Sequence, residues 1–284
     1  MPRNRRKFQH TKAVAQVRAA SGGLARALIS VAAVAAAATA LFYAGRFTYG
    51  WATTSPRFAI RAIEIRGNQR APADELVRLS GLGIGQNLFM SDVEGAESAL
   101  TGEPWVKTVE VHRRLPDSVV IRVTEREPAL LVDLGKLYFA DTAGTPFKRV
   151  AAGDALDLPL VTGLTRDAFQ DKREETEATL RDLVGFVEAY RARGLMERFR
   201  IEELHLEPED GLTAQLSKVG TRGALQTVKL GESPFDEKLD KLATLWSELH
   251  RRGVGAQVVH LENRARPNWV AVKLALAAPG AGAD

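Results

Sequence analysis

The chain has 284 residues, 26% of them charged, no cysteine and a formal charge of +4. Zero cysteine excludes a disulfide framework and a thiolate metal site. The positive charge is local: residues 1–26 carry seven Lys/Arg and no acid, and once these and Arg46 are set aside, 31 Lys/Arg face 35 Asp/Glu. The basic balance therefore belongs to the head of the chain and does not mark a nucleic-acid binder.

The head (Arg3, Arg5, Arg6, Lys7, Lys12, Arg18, Arg26) is followed by Ala27–Gly45, nineteen residues without a charge, and the first acid is Glu64. Nineteen helical residues span roughly 28 Å, about the thickness of a hydrocarbon core. The expectation is a cytoplasmic tail over 1–26, one transmembrane helix over 27–45, a linker over 46–56, and the bulk of the chain outside the cytoplasm. Tyr43, Tyr49 and Trp51 stand where an outer aromatic belt belongs. The rival reading is a cleaved signal peptide, because Ala38-Thr39-Ala40 fits a small-x-small cleavage site.

After Ser55-Pro56 the order is strand, helix, helix, strand, strand. Phe58–Arg66 is β-rich and stops at the turn pair Gly67-Asn68. Pro72 opens a helix over Ala73–Ser80, and Gly81-Leu82-Gly83-Ile84-Gly85 is a backbone connector rather than a nucleotide loop, because a helix precedes it. Ser91-Asp92-Val93-Glu94 reads as a capping box that starts a helix to about Leu100. Trp105–Arg113 and Val119–Glu125 form a hairpin around Leu115-Pro116-Asp117-Ser118, with Trp105, Val109, Val111, Ile121 and Val123 expected under the two helices.

A second unit begins near Pro128. Ala129–Phe139 holds two short strands broken at Gly135, Asp141–Gly144 is a turn, and Leu158–Gly163 is a short extended piece. Asp167–Arg193 reads as one long amphipathic helix, with Leu180, Leu183, Val184 and Val187 as its stripe. Ile201–Leu206, Gly211–Leu216 and Thr227–Leu230 read as strands. Ser233-Pro234 opens a helix through Leu239, Leu242, Leu245, Trp246 and Leu249 to Gly253. Gln257–Leu261 and Trp269–Leu276 are the last strands, and 277–284 reads as a disordered tail.

The β-α-α-β-β order of Phe58–Arg126 is that of a POTRA domain, a small export-associated interaction module. Its details resemble the FtsQ/DivIB family of bacterial division proteins. The matching runs are Phe58–Asn68, Gly85-Gln86-Asn87-Leu88-Phe89, Pro104-Trp105-Val106-Lys107, Arg113–Asp117 and the hinge Val123–Ala129; Leu158–Gly163 and Val228-Lys229-Leu230-Gly231 with Glu237-Lys238-Leu239 continue the likeness. The resemblance implies an α+β protein with one N-terminal transmembrane helix, a POTRA domain over 57–127 and a mixed β-sheet domain with two helices over 128–276. It implies a non-catalytic scaffold of the inner-membrane division machinery at the septum, with no cofactor, nucleic acid or small-molecule substrate. The implied partners are FtsB/DivIC-like and FtsL-like bitopic coiled-coil proteins and other septal membrane division proteins, which it would join to septal peptidoglycan synthesis.

The candidate site is the last strand, with Trp269, Val270, Ala271, Val272, Lys273 and Leu274 as the partner-binding residues. Val270, Val272, Leu274 and Leu276 alternate with Trp269, Ala271, Lys273 and Ala275. A strand at a sheet edge offers unpaired backbone groups to which a partner strand can add; the competing reading is an ordinary strand paired on both sides. In the resembling family this strand receives FtsB or DivIC. Here the chain departs from the family: Val259-His260-Leu261-Glu262-Asn263 stands where an acid and then an arginine are common, and Arg264–Asn268 is a basic loop.

Arg113-Arg114 and Arg122-Arg126 read either as a basic docking patch or as a solvated strand face. His250 suits a helix C-terminus, and Glu174, Glu175 and Glu177 suit a helix N-terminus. The five histidines are scattered, and neither HExxH nor GxSxG occurs. Two further functions stand against the scaffold. A different POTRA-bearing assembly or translocation factor shares the module, although the chain is too short for a barrel after it. An exported hydrolase would require a nucleophile or metal constellation, and none is visible.

Overall fold

The computed structural model describes residues 7–154, 157–220, 225–262 and 269–275. It is an α+β protein whose first element is an apolar helix. Helix α1 (Lys7–Thr54) continues through Gly45, Arg46 and Gly50 without a break, so the helix outlasts the uncharged run. Its Leu28–Thr54 stretch is long and apolar enough to cross a membrane and is nowhere buried by protein. By compactness the chain divides into two units. One contains residues 1–68, 72–100 and 109–123; the other contains 69–71, 101–108 and 124–284.

In the first unit a three-residue 3-10 turn, Pro56–Phe58, precedes β1 (Ala62–Arg66). Strand β1 therefore starts four residues later than its apolar pattern suggests. Phe58 spends its ring on Phe89 at 5.0 Å rather than on a ladder. Helix α2 (Ala73–Ser80) ends on Gly81 at φ 66°, a left-handed C-cap. Helix α3 (Val93–Thr101) follows. Its cap is not the Ser91 box: the Asp92 carboxylate accepts the Gly95 N–H at 2.8 Å, while the Ser91 hydroxyl donates to Leu88 O. Asp92 sits three residues before that donor, the spacing an N-cap requires. Strands β2 (Val106–Arg114) and β3 (Ser118–Glu125) complete a three-stranded sheet in the order β1-β3-β2. Strands β1 and β3 are parallel, with Ala62 beside Ser118 and Arg66 beside Arg122. Ile60, Leu76, Leu88, Leu100, Val111, Val119, Ile121 and Val123 are buried.

The second unit is a nine-stranded mixed sheet in the order β12-β11-β10-β9-β8-β7-β4-β5-β6. In chain order these are β4 (Pro128–Asp133), β5 (Leu137–Asp141), β6 (Pro146–Arg149), β7 (Leu160–Thr162), β8 (Phe199–Glu207), β9 (Gly211–Lys218), β10 (Leu225–Gly231), β11 (Ala256–His260) and β12 (Ala271–Leu274). Parallel neighbours need a crossover. Helices α4 (Arg166–Asp171) and α5 (Arg173–Ala192) supply it between β7 and β8, and α6 (Asp236–Arg251) supplies it between β10 and β11.

The expected single helix over Asp167–Arg193 is interrupted at Lys172, whose φ −132° and ψ 52° are not helical. The apolar stripe of α5 begins only beyond that break. Helix α6 opens at Asp236 rather than at Ser233-Pro234, which is a cis peptide. Leu180, Leu183, Val184, Phe186, Val187 and Tyr190 of α5 and Leu239, Leu242, Trp246 and Leu249 of α6 pack with Leu204, Leu212, Leu216, Val228 and Leu230 in one core. The buried Tyr190 phenol donates to Phe199 O at 3.0 Å, and burial pushes its pKa well above the usual tyrosine range. Strand β7 ends at Gly163, φ 90°, where a Cβ would lie 2.0 Å from Leu206 O.

Trp105 is buried. Its ring lies 5.7 Å from that of Phe139 and 5.4 Å from that of Phe147, with Lys148 and Arg70 over its faces. Val109 is half-buried and lies outside the buried core.

Candidate partner-binding edge

Strand β12 stands at one end of the nine-stranded sheet, and among the described residues β11 is its one neighbour. The pairing is antiparallel: His260 lies beside Ala271, Val259 beside Val272 and Val258 beside Lys273. Backbone donors alternate in direction along a strand. The Ala275 N–H donates to Gly255 O at 2.9 Å, toward the β11 side. Counting back, the amides of Lys273 and Ala271 also face β11. On the other side of the ladder, Leu261 N–H donates to Lys229 O of β10, so His260 and Val258 point back at Ala271 and Lys273. The two counts agree. The amides of Val272 and Leu274 therefore face outward, away from the sheet.

The side chains follow the expected alternation. Val270 and Val272 pack against the core, while Trp269, Ala271 and Lys273 lie on the exposed face. Leu274 departs from it, at 50% exposure. Of the candidate residues, Ala271–Leu274 form the strand, and Trp269 and Val270 lead into it. Leu276, Arg264–Asn268 and 277–284 lie outside the described residues.

Where β10 and β11 end lies a polar knot that motif reading missed. Gly231 ends β10 at φ 72°, and the Glu262 carboxylate occupies the space a side chain there would need. Glu262 accepts the Glu232 N–H at 2.8 Å and pairs with Lys238 at 3.2 Å, while the Lys238 ammonium donates to Leu230 O at 2.7 Å. Glu262 thus holds the end of β11 to the start of α6 in the segment where the chain departs from the family pattern. Its signal was the Gly231…Lys238 spacing, which has no meaning until β10 and β11 are known to be neighbours.

The basic residues are largely engaged. Arg113 donates to Leu88 O and Ser91 O, and Arg126 pairs with Asp141 at 2.8 Å. Among the described residues no group of three His, Cys, Asp or Glu is placed to hold a metal.

An apolar helix ahead of a β-α-α-β-β unit and a mixed sheet is the plan of a POTRA protein with one candidate membrane anchor. The family model described as POTRA domain, FtsQ-type, matches residues 58–126, and that described as Cell division protein FtsQ/DivIB, C-terminal, matches residues 129–262. The chain belongs to the FtsQ/DivIB family of cell division proteins. It is 42% identical over 234 residues to a cell division protein FtsQ of Myxococcus fulvus, covering 82% of this chain and 80% of the relative. It is 38% identical over 254 residues to that of an Anaeromyxobacter species, covering 89% and 82%. A third relative, from Syntrophotalea carbinolica, is 27% identical over 246 residues, covering 87% and 84%. The C-terminal match stops at Glu262, short of β12.

Proposed function

We propose that the chain is a non-catalytic divisome scaffold that captures a partner strand on the outer edge of β12. It is held by α1 in the inner membrane at the septum, with its N-terminus in the cytoplasm and residues 57–127 and 128–276 as two domains on the far side. There it joins FtsB/DivIC-like and FtsL-like coiled-coil proteins to septal peptidoglycan synthesis. The observation that carries the reading is the outward direction of the Val272 and Leu274 amides on a strand with one neighbour among the described residues. An added strand would accept from these amides and donate to the carbonyls beside them, with Trp269, Ala271 and Lys273 reading its side chains. The parent family and the basic head, which favours the cytoplasm, support the placement.

The test is capture of the coiled-coil partners by the full membrane-anchored chain and by two truncations. Residues 1–268 should lose capture, while 1–276 should keep it. Undiminished capture by 1–268 would move the interface to the POTRA domain or the membrane helix.

A further inference from the structure

Four exposed apolar side chains gather where the chain leaves α1. Ile84 is 66% exposed, Phe89 42%, Met90 62% and Leu115 62%. Topology puts them at one end of the first unit. Strand β1 starts there and runs parallel to β3, so the β2–β3 turn carrying Leu115 returns to the same end. The Arg61 N–H donates to Asp117 O of that turn at 2.8 Å.

The exposure is built rather than slack. Gly85 N–H donates to Ile60 O, Ile60 N–H to Gln86 O and Leu88 N–H to Phe58 O, at 2.7–2.8 Å. The Arg113 guanidinium donates to Leu88 O at 2.8 Å and to Ser91 O at 2.7 Å. These two bonds bracket Phe89 and Met90 and hold the pair outward.

The same loop is tied to the helix. The Asn87 side-chain amide donates to Ala52 O at 3.0 Å. Rings continue the connection, from Trp51 to Phe58 at 5.5 Å and from Phe58 to Phe89 at 5.0 Å. Ala52 lies seven residues past Gly45, the end of the uncharged run, about 10 Å further along the helix, and Arg46 can extend its guanidinium to the headgroups along its own stem. The loop that touches Ala52 therefore lies against the headgroup layer, within reach of its apolar side chains. Aromatic and apolar groups with a basic fringe suit that layer. Arg57 and Arg61 are exposed beside it, Arg61 with Asp117 at 3.8 Å.

We propose that Ile84, Phe89, Met90 and Leu115 form a lipid-contact platform that seats the POTRA domain on the leaflet from which α1 emerges, with Arg57 and Arg61 facing lipid phosphates. The platform fixes the tilt of the domain on the membrane, which a lone helix does not. The proposal rests on α1 spanning the bilayer.

The absence of cysteine makes the test direct. Single variants Met90→Cys, Arg122→Cys and Val34→Cys of the full chain are labelled with a polarity-sensitive dye. Each is reconstituted in vesicles of phosphatidylethanolamine and phosphatidylglycerol carrying nitroxide lipids, shallow or deep. Arg122, exposed and beside Arg66 at the far end of β1, reports the domain away from the platform. The dye at Met90 should emit bluer than that at Arg122 and be quenched by shallow nitroxide, while Val34 is quenched by deep nitroxide. Adding Ile84→Asp and Leu115→Asp, both at exposed positions, should weaken the quenching at Met90. If Met90 behaves like Arg122 while Val34 is quenched, the platform is overturned and the anchor stands. If Val34 escapes deep quenching, the anchor falls and the platform with it.

Discussion

The two edges of the large sheet are treated in opposite ways. Strand β6 is Pro146-Phe147-Lys148-Arg149, so its edge begins with a residue that has no donor and ends with two cations. Lys148 is held by Asp154 and lies over the rings of Trp105 and Phe139, and Asp154 also accepts the Ala151 N–H at 2.9 Å. Strand β12 is Ala271-Val272-Lys273-Leu274, with no proline, one cation and a half-exposed leucine. An undefended edge is an aggregation hazard that proteins usually blunt. Among the described residues one edge is guarded and the other is left bare, the pattern expected of a sheet whose open edge is normally covered by a partner.

The largest effect should come from breaking the guarded edge. Replacing Trp105 by alanine removes the ring on which Phe139, Phe147 and Lys148 rest. Truncating a buried tryptophan costs about 3–5 kcal/mol, so thermal melting of the full chain in detergent should fall by several degrees. An unchanged melting curve would show that the rings brace nothing.

The open edge is sharpened by two prolines one residue apart. Lys273→Pro deletes a donor that faces β11 and should detach β12, exposing the core beneath Val272 to protease. Val272→Pro deletes an outward donor, which an edge strand tolerates. It should leave protease resistance nearly intact while partner capture weakens about tenfold, the loss of roughly one net hydrogen bond. Equal behaviour of the two variants would contradict the donor directions.

The smallest effect is one of pH. The hydrogen bond from Lys148, with the Ala151 N–H, holds the Asp154 carboxyl below the usual carboxylate range. A carboxylate with a depressed folded pKa contributes stability above its unfolded pKa, near 3.9, and loses it as pH falls through the folded value. Asp154→Asn should therefore melt slightly lower than the parent at neutral pH, and the gap should close in acid. A gap independent of pH would mean that the loss is one of packing.

Much of this contrast was legible in residues 128–276, but its two edges were not legible equally. The alternation Val270, Val272, Leu274 announced a strand, because period-2 patterning is local. Which of its sides was free depended on β10 lying beside β11, a pairing across the whole of α6 that no local pattern encodes. Strand β6 escaped notice because Pro, Lys and Arg, the residues that guard an edge, are also those of a loop. The break at Lys172 was hidden because Gln170–Glu175 carry no apolar residue whose spacing could reveal a change of register. Trp105 was legible as buried; what it rests on was not, since Phe139 and Phe147 lie more than thirty residues away in the chain. The run Gly85–Phe89 was legible as a family-like motif, yet its exposed ring and the neighbouring Met90 gained meaning only through the Asn87 bond to Ala52.

The tight approach at Gly163 has a consequence for genetics. Two requirements meet there, a positive φ and room for Leu206 O, so every single-base change that alters this codon's residue adds both backbone strain and a clash. Strain of this kind is tolerated in the cold and becomes limiting as the folding margin shrinks with heat. In a protein of a division family, position 163 is a natural source of conditional alleles: cells that divide at low temperature and grow as undivided filaments when warmed.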